Sequence, residues 1–391
     1  MTSTVKFSLV AMIAVSVVSD AMLLPFYPQF FEAVFSVTEP RQVGFYLGAT
    51  CFVVMLAFPL WARIARSVPV IRLLIYTQFA AGVLSILCHG AETLRDFWLV
   101  SLLMLVFKAS YLLIYPHIMR FEQQEKHSGT IGLLSVIVHL GAIVGAGAGG
   151  FVLQWFEPRQ VFLLMAAGDF AQMFMCVFLP GKAEPAARAE PREQPAPATG
   201  RPASGRVYKL GLIMLLFYFS IWLVRPFFSR YWQSISAWDG EIVSGLVFAI
   251  PGVMAFLALC LKNRAIGKTG LVPAVFSGIC GLLLQASQQE AVVLAGRCLY
   301  GWALFHATVR LDSLLFAIST PASYAADFSK IYFFQSLGAL LAFFSIGPLV
   351  ASRGLQMPLI AGASGWLLTV LLYSLLFKAG SKSAAAVMKT S

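Results

Sequence analysis

The sequence predicts an all-α integral membrane protein, twelve transmembrane helices arranged as two pseudo-symmetric halves of six. Three observations predict it. The 391-residue chain is 59% hydrophobic and only 12% charged, with a mean hydropathy of +0.81, which is more apolar surface than a water-soluble core can bury. Its apolar residues gather in stretches able to cross about 30 Å of hydrocarbon. Short segments also recur at a nearly constant offset: Leu24-Pro25-Phe26-Tyr27 resembles Arg225-Pro226-Phe227-Phe228, and Leu140-Gly141-Ala142-Ile143-Val144 resembles Leu337-Gly338-Ala339-Leu340-Leu341. Parallel repeats of this kind place a substrate path between the halves, near the bilayer midplane.

In chain order the expected spans lie near 6–30, 43–61, 70–89, 96–118, 130–154 and 160–180, then near 208–231, 241–261, 270–287, 291–314, 328–350 and 356–378. Between the sixth and seventh, Gly181 to Arg206 is rich in alanine, proline, glutamate and arginine and has no periodic apolar face. That composition reads as a disordered linker. The organisation is therefore an N-terminal half over 1–180, a cytoplasmic linker over 181–207, and a C-terminal half over 208–391 with a short cytoplasmic tail. The first apolar run contains Asp20 and continues into Pro25 and Pro28 without a small-residue cleavage site, so it reads as a retained helix and not a signal peptide.

Orientation follows from the basic residues. With the N-terminus inside, cytoplasmic connections carry Arg63, Arg66, Arg72, Arg120, Lys126, Lys182 to Lys209, Lys262, Arg264, Lys268, Lys378, Lys382 and Lys389, while outer connections hold little beyond Arg41, Arg95, Arg159 and Arg353. This positive-inside bias places both termini in the cytoplasm, as in a bacterial inner membrane. The formal net charge of +11 then needs no nucleic acid, because the basic residues border spans and form no aromatic-interleaved patch.

The fifth span carries a ladder of small residues: Gly132, Gly141, Gly145, Gly149 and Gly150, with Ala146, Gly147 and Ala148 between the last three. Small residues at helical spacing let two helix backbones approach closely in a bilayer, so the ladder reads as an interhelical seam. Its spacing is similar to the G-x8-G-x3-G-P-x2-G-G motif on helix five of the twelve-helix drug:proton antiporters of the major facilitator superfamily, with Ala146 where that group has proline. Leu24-Pro25-Phe26-Tyr27-Pro28 resembles the group's paired prolines on helix one. Arg297-Cys298-Leu299-Tyr300-Gly301 resembles its R-x-x-x-G pattern, usually found on helix four, where the corresponding place here is near Leu103. Arg63-Ile64-Ala65-Arg66 departs from its acidic, glycine-containing loop after helix two. The resemblance implies the major facilitator fold, with helices one and four lining the cavity of the first half, and export in exchange for protons.

An ionisable group near the bilayer centre costs roughly 2.5–3.5 kcal/mol on insertion scales, so each should face a partner or a wet cavity. Five stand out: Asp20, Lys108, Asp169, Arg225 and Arg297. Asp20 lies about 20 Å into the first span, and a carboxyl group held partly away from water is suited to exchanging a proton near neutral pH; a static carboxylate is the alternative. Lys108 lies at comparable depth on a helix running the other way, and its long stem is expected to reach Asp20. Asp169 is expected either to relay protons or to make a buried structural hydrogen bond. Arg225, before Pro226, offers a planar fork of donors for an anionic substrate group or snorkels to the outer headgroups. Arg297, early in the tenth span, is a further candidate for substrate binding; it can snorkel in the same way, while its R-x-x-x-G setting favours a structural or coupling role. Tyr111, Tyr115, Tyr218, Trp222 and Trp302 are candidates for an amphipathic substrate lining, though aromatic residues also face lipid. His139 and His306 read first as hydrogen-bonded packing residues.

Other signals fail on context. Gly145 to Gly150 satisfies G-x-G-x-x-G inside an apolar helix with no preceding strand, and Gly267-Lys268-Thr269 lacks the first glycine of a P-loop, so no nucleotide or other cofactor is implied. The cysteines at 51, 88, 176, 260, 280 and 298 form no close pairs, which gives neither a zinc site nor a disulfide framework. No polar cluster has the spacing of an enzyme's nucleophile and base or of a catalytic metal site. The expectation is a monomeric secondary transporter that exports a small organic compound against protons. Its substrate would be a polar, anionic or zwitterionic metabolite such as a siderophore, or a drug. Proton-coupled uptake and a non-transporting scaffold or sensor are the alternatives.

Overall fold

In hydrocarbon a backbone N–H or C=O without an internal partner costs several kcal/mol, so apolar spans fold as helices. The computed structural model of the chain describes residues 3–121, 127–179, 205–261, 270–319 and 324–378. Its N-terminal half comprises α1 (Ser3–Leu23), α2 (Tyr27–Phe35), α3 (Pro40–Ile64), α4 (Val70–His89), α5 (Leu94–Lys108), α6 (Ile114–Phe121), α7 (His127–Trp155) and α8 (Gln160–Phe178). The C-terminal half comprises α9 (Gly205–Leu223), α10 (Phe228–Ile235), α11 (Glu241–Cys260), α12 (Leu271–Gln285), α13 (Glu290–Ile318), α14 (Tyr324–Arg353) and α15 (Met357–Tyr373). Among the described residues, eleven spans are long and apolar enough to cross a bilayer, and α12 is a shorter apolar helix. Most of the expected linker lies outside the described residues, and α9 begins at Gly205, before the expected boundary.

The first and seventh spans break at their prolines. Pro25 lies in a 3₁₀ turn, Leu24–Phe26, between α1 and α2. Pro226 cannot donate to the Trp222 carbonyl four residues back, and the Arg225 N–H bonds to that carbonyl instead, at 3.5 Å. Hydroxyls within spans return to their own helix in the same economy, as Thr369 does to the Gly365 carbonyl at 2.8 Å.

The glycine ladder forms two seams. On one face of α7, Gly141 packs on Val17, Gly145 on the Val18 carbonyl and Ala21, and Gly149 on Met22, all of α1; on another, Gly150 meets Glu241 and Ile242 of α11, while Gly245 of α11 meets the Ala146 carbonyl. A Cβ on Gly145 would lie 2.5 Å from the Val18 carbonyl oxygen, whereas one on Gly147 would meet nothing within 4 Å. Gly132 lies in the part of α7 whose packing is not described. The second half repeats both seams. Gly338 of α14 packs on Leu215 and Phe219 of α9, and Gly347 on Pro40 and Arg41 of α3. Residue for residue, Gly347 and α3 reproduce what Gly150 and α11 do.

These cross-half seams meet at one end of the molecule. Among the described residues, the apolar cluster that draws on both halves lies there, joining Met22, Leu23, Phe26 and Val152 to Leu223, Phe227, Ala342, Phe343 and Ile346. Aromatic rings thicken it, with Phe30 5.6 Å from Phe162 and Phe31 5.2 Å from Tyr46, centroid to centroid. Three polar contacts cross the halves beside it. Gln29 donates to Gln233 at 3.0 Å, Arg230 pairs with Glu32 at 2.8 Å, and the Ile242 N–H donates to Gln154 at 3.0 Å. The other described cores stay within single halves.

Overpacking a close helix contact typically costs about 1–3 kcal/mol. Gly145→Ala is therefore expected to lower thermal stability by that amount, and Gly147→Ala to leave it within about 0.5 kcal/mol. Thermal unfolding of the two purified variants in one detergent checks the contrast.

Candidate functional site

The candidate site lies directly beneath the closed end. Asp20 precedes Met22 of the shared cluster by two residues and is solvent-exposed, although it lies deep in the first span. An ionisable group at that depth in a span is expected to face water or a partner and not lipid. The Tyr111 hydroxyl donates to Asp20 Oδ2 at 2.9 Å. Tyr115 lies within electrostatic reach of Asp20, and Tyr332 of α14, in the other half and exposed, lies near both Tyr111 and Tyr115.

The structure corrects the expected Asp20–Lys108 pair. Lys108 Nζ lies 3.5 Å from Asp169 Oδ1, with side chains only 3% and 0% exposed. Ser85 donates to the other Asp169 oxygen at 3.1 Å. A lysine and an aspartate removed together from water hold each other by necessity, because either alone would be an uncompensated buried charge. Lys108 is still close enough to act on Asp20 electrostatically, so a dry ion pair stands behind a wet carboxylate. Ser16 extends this polar layer, donating to Gln172 at 2.8 Å.

In the C-terminal half, the helix break aims Arg225 inward and not toward the outer headgroups. Its guanidinium lies 4.6 Å from the Trp222 ring centre and within electrostatic reach of Tyr218, Tyr300 and Arg297. Trp222 itself packs against Phe343, centroids 5.3 Å apart, in the shared cluster. Tyr218 lies within reach of Tyr332 and Asp312 as well as Arg225, so tyrosines link the acidic wall to the basic one. Trp302 is placed elsewhere, against His306 at 4.8 Å and in the α11–α13 contact with Ala255 and Ala258.

Arg297 is occupied. Pro251 lacks the N–H that would bond the Val247 carbonyl, and Arg297 Nε donates to that carbonyl at 3.3 Å while Nη2 donates to the Phe248 carbonyl at 2.7 Å. Nη1 donates to Gln285 at 3.3 Å, and the Phe228 ring lies 3.7 Å beneath the guanidinium. One turn on, Gly301 packs against Pro251 itself. The R-x-x-x-G segment thus braces a proline kink in α11, which leaves Arg297 a poor candidate for direct substrate contact.

Sequence reading missed Tyr332 and the polar contacts of the closed end. Tyr332 gives no signal, being one aromatic among many on an apolar helix. The contacts had one: the repeat offset that aligns Pro25 with Pro226 also aligns Gln29 with Arg230 and Glu32 with Gln233. No group of three or more potential metal ligands occurs among the described residues.

Comparison with known proteins follows the same lines. The model of the Major Facilitator Superfamily matches residues 9–301. The multi-drug resistance efflux pump PmrA homolog of Lactococcus lactis subsp. lactis (strain IL1403) is 24% identical over 354 residues, covering 85% of this chain and 84% of its own. The crystal structure of the nucleoside transporter NupG is similar at a TM-score of 0.77 with 12% identity, covering 96% of this chain and all of that one. A bacterial homolog of the human lysosomal transporter Spinster, in an inward-facing and occupied conformation, is similar at 0.75 with 14% identity, covering 95% of this chain and 96% of that one.

The Arg297–Pro251 arrangement has a measurable signature. Arg297→Ala leaves the Val247 carbonyl without a donor and removes the bonds to Phe248 and Gln285, and is expected to cost about 1–3 kcal/mol. Pro251→Ala restores the N–H for the Val247 carbonyl, so the double variant should lose less than the sum of the singles. A double-mutant cycle on unfolding free energies reads the difference.

Proposed function

The chain belongs to the Major Facilitator Superfamily, and from that premise we propose that it exports a small organic compound in exchange for protons by alternating access. The observation that carries this reading is Asp20, an exposed carboxylate deep in the first span beneath the apolar core that the halves share, while among the described residues no apolar cluster joins the halves at the other end. A carboxylate reachable from one side and touched by one tyrosine can carry either a proton or a cationic substrate group, which is the competition that exchange requires. Lys108 and Asp169, as a dry pair within electrostatic reach, bias that choice without entering the cavity.

The end where the halves meet carries Arg41, Arg95, Arg159 and Arg353, the sparse basic residues of the outer connections. The positive-inside bias therefore makes the open side cytoplasmic and puts both termini inside. Relatives described as multi-drug efflux pumps favour export over uptake. The cargo is a drug or a secreted metabolite such as a siderophore, and the chain works as a monomer. The contacts to be broken for outward opening are individually weak. Glu32 and Arg230 are about two-fifths exposed, a setting in which an ion pair contributes about 0.2–1 kcal/mol.

Two outcomes are expected. In inside-out vesicles with an acidic interior, Asp20→Asn reduces gradient-driven accumulation of drugs and secreted chelators to the level of vesicles lacking the protein. Full retention of proton-driven transport by that variant removes the coupling role. A Gln29→Cys/Gln233→Cys protein joined by a short bifunctional thiol reagent stops transporting, and each single-cysteine variant treated alike does not.

A further inference from the structure

We propose that the floor of the cavity binds a zwitterionic organic solute, with its cationic group at Asp20 and its carboxylate at Arg225 and Tyr300. This rests on reading the cavity as the substrate path and adds to it the chemistry of the cargo. The basic wall is uncompensated. Arg225 and Arg297 lie within electrostatic reach of each other, and among the described residues neither forms an ion pair. Asp312, an acid on α13, stands twelve residues beyond Tyr300, about 18 Å along the helix. Two guanidinium groups near each other with no carboxylate between them repel, and an anion that joins them relieves the repulsion.

Tyr300 supplies the second observation. Its side chain is 2% exposed, its hydroxyl has no hydrogen-bond partner, and it interacts electrostatically with both arginines. A buried hydroxyl left unpaired costs about 1–3 kcal/mol, a cost relieved by an acceptor that Arg225 would bind at the same time. The Arg225 guanidinium is only half-buried and makes no hydrogen bond to protein among the described residues, so its fork is available. Arg297 is committed to α11 and contributes charge alone.

The opposite wall has the opposite sign. Lys108 is taken by Asp169, which leaves Asp20 as an exposed carboxylate supported by a neutral tyrosine. A solute with only a positive charge satisfies Asp20 and leaves the guanidinium groups unmatched. A solute with only a negative charge leaves Asp20 unmatched. A solute carrying both groups satisfies both walls, with Tyr332 and Tyr218 along its body.

Equilibrium binding of matched xanthene dyes to the full-length protein in lipid nanodiscs tests this, read by fluorescence polarisation without a proton gradient. Rhodamine B is zwitterionic, its ethyl ester is cationic and fluorescein is anionic. Rhodamine B is expected to bind about tenfold tighter than either of the others. Arg225→Gln should bring rhodamine B down to the affinity of the ester while leaving the ester unchanged. Tyr300→Phe, which removes a single oxygen, should narrow the same preference by a smaller factor. Asp20→Asn should weaken rhodamine B and its ester but not fluorescein. Equal binding of rhodamine B and its ester, equal loss of both in Arg225→Gln, or binding of no dye overturns the proposal. Gradient-driven vesicle transport of purely cationic compounds alone would also overturn it while leaving proton-coupled export intact.

Discussion

Backbone-to-backbone contact at glycine is the constraint on which the rest of the architecture depends. A bilayer provides no hydrophobic force between helices, so association comes from close packing, and α7 achieves it on two faces at once. Gly141, Gly145 and Gly149 fasten it to α1 within its half, while Ala146 and Gly150 set it against α11 in the other. Through the first seam α7 determines where Asp20 stands. Through the second it determines how far the halves are apart above that residue.

That dependence also decides what could be read from the sequence. The spans were legible because hydrocarbon thickness imposes a length, and the halves because the repeat preserves short segments. The ladder was legible as a seam, but a run of glycines does not say which partner each one faces. The site was legible only one residue at a time. Burial cost marks Asp20, Lys108, Asp169, Arg225 and Arg297 as needing partners, yet depth along a helix leaves azimuth free. Lys108 therefore has two acids at similar depth, and the buried one holds it. Arg297 shows the other limit, because its partners are backbone carbonyls exposed by a proline in a different helix.

The charged groups divide by exposure. Asp169, Lys108 and Arg297 are buried and held by protein, and they stiffen the helices that carry them. Asp20 and Arg225 reach the cavity and have few protein partners, Tyr111 for one and the face of Trp222 for the other. Fixed charges behind movable ones let a cavity change its occupant without unfolding its wall. Alanine stands where the resembling antiporters have proline in α7, and the carbonyl of that alanine meets Gly245 of α11. The helix keeps its N–H there, and the seam between the halves keeps an unbent surface.

The closed end has the contact geometry of a two-fold dimer. Gln29 and Arg230 occupy equivalent positions of the two repeats, as do Glu32 and Gln233, and each residue meets the counterpart of the other. In a dimer of identical chains the two contacts would be copies of one another. Within a single chain they have diverged into an ion pair on one side and an amide pair on the other. Salt screens the first and leaves the second nearly untouched, so ionic strength acts on this end of the molecule as a lateral bias, loosening one flank of a nearly symmetric contact before the other.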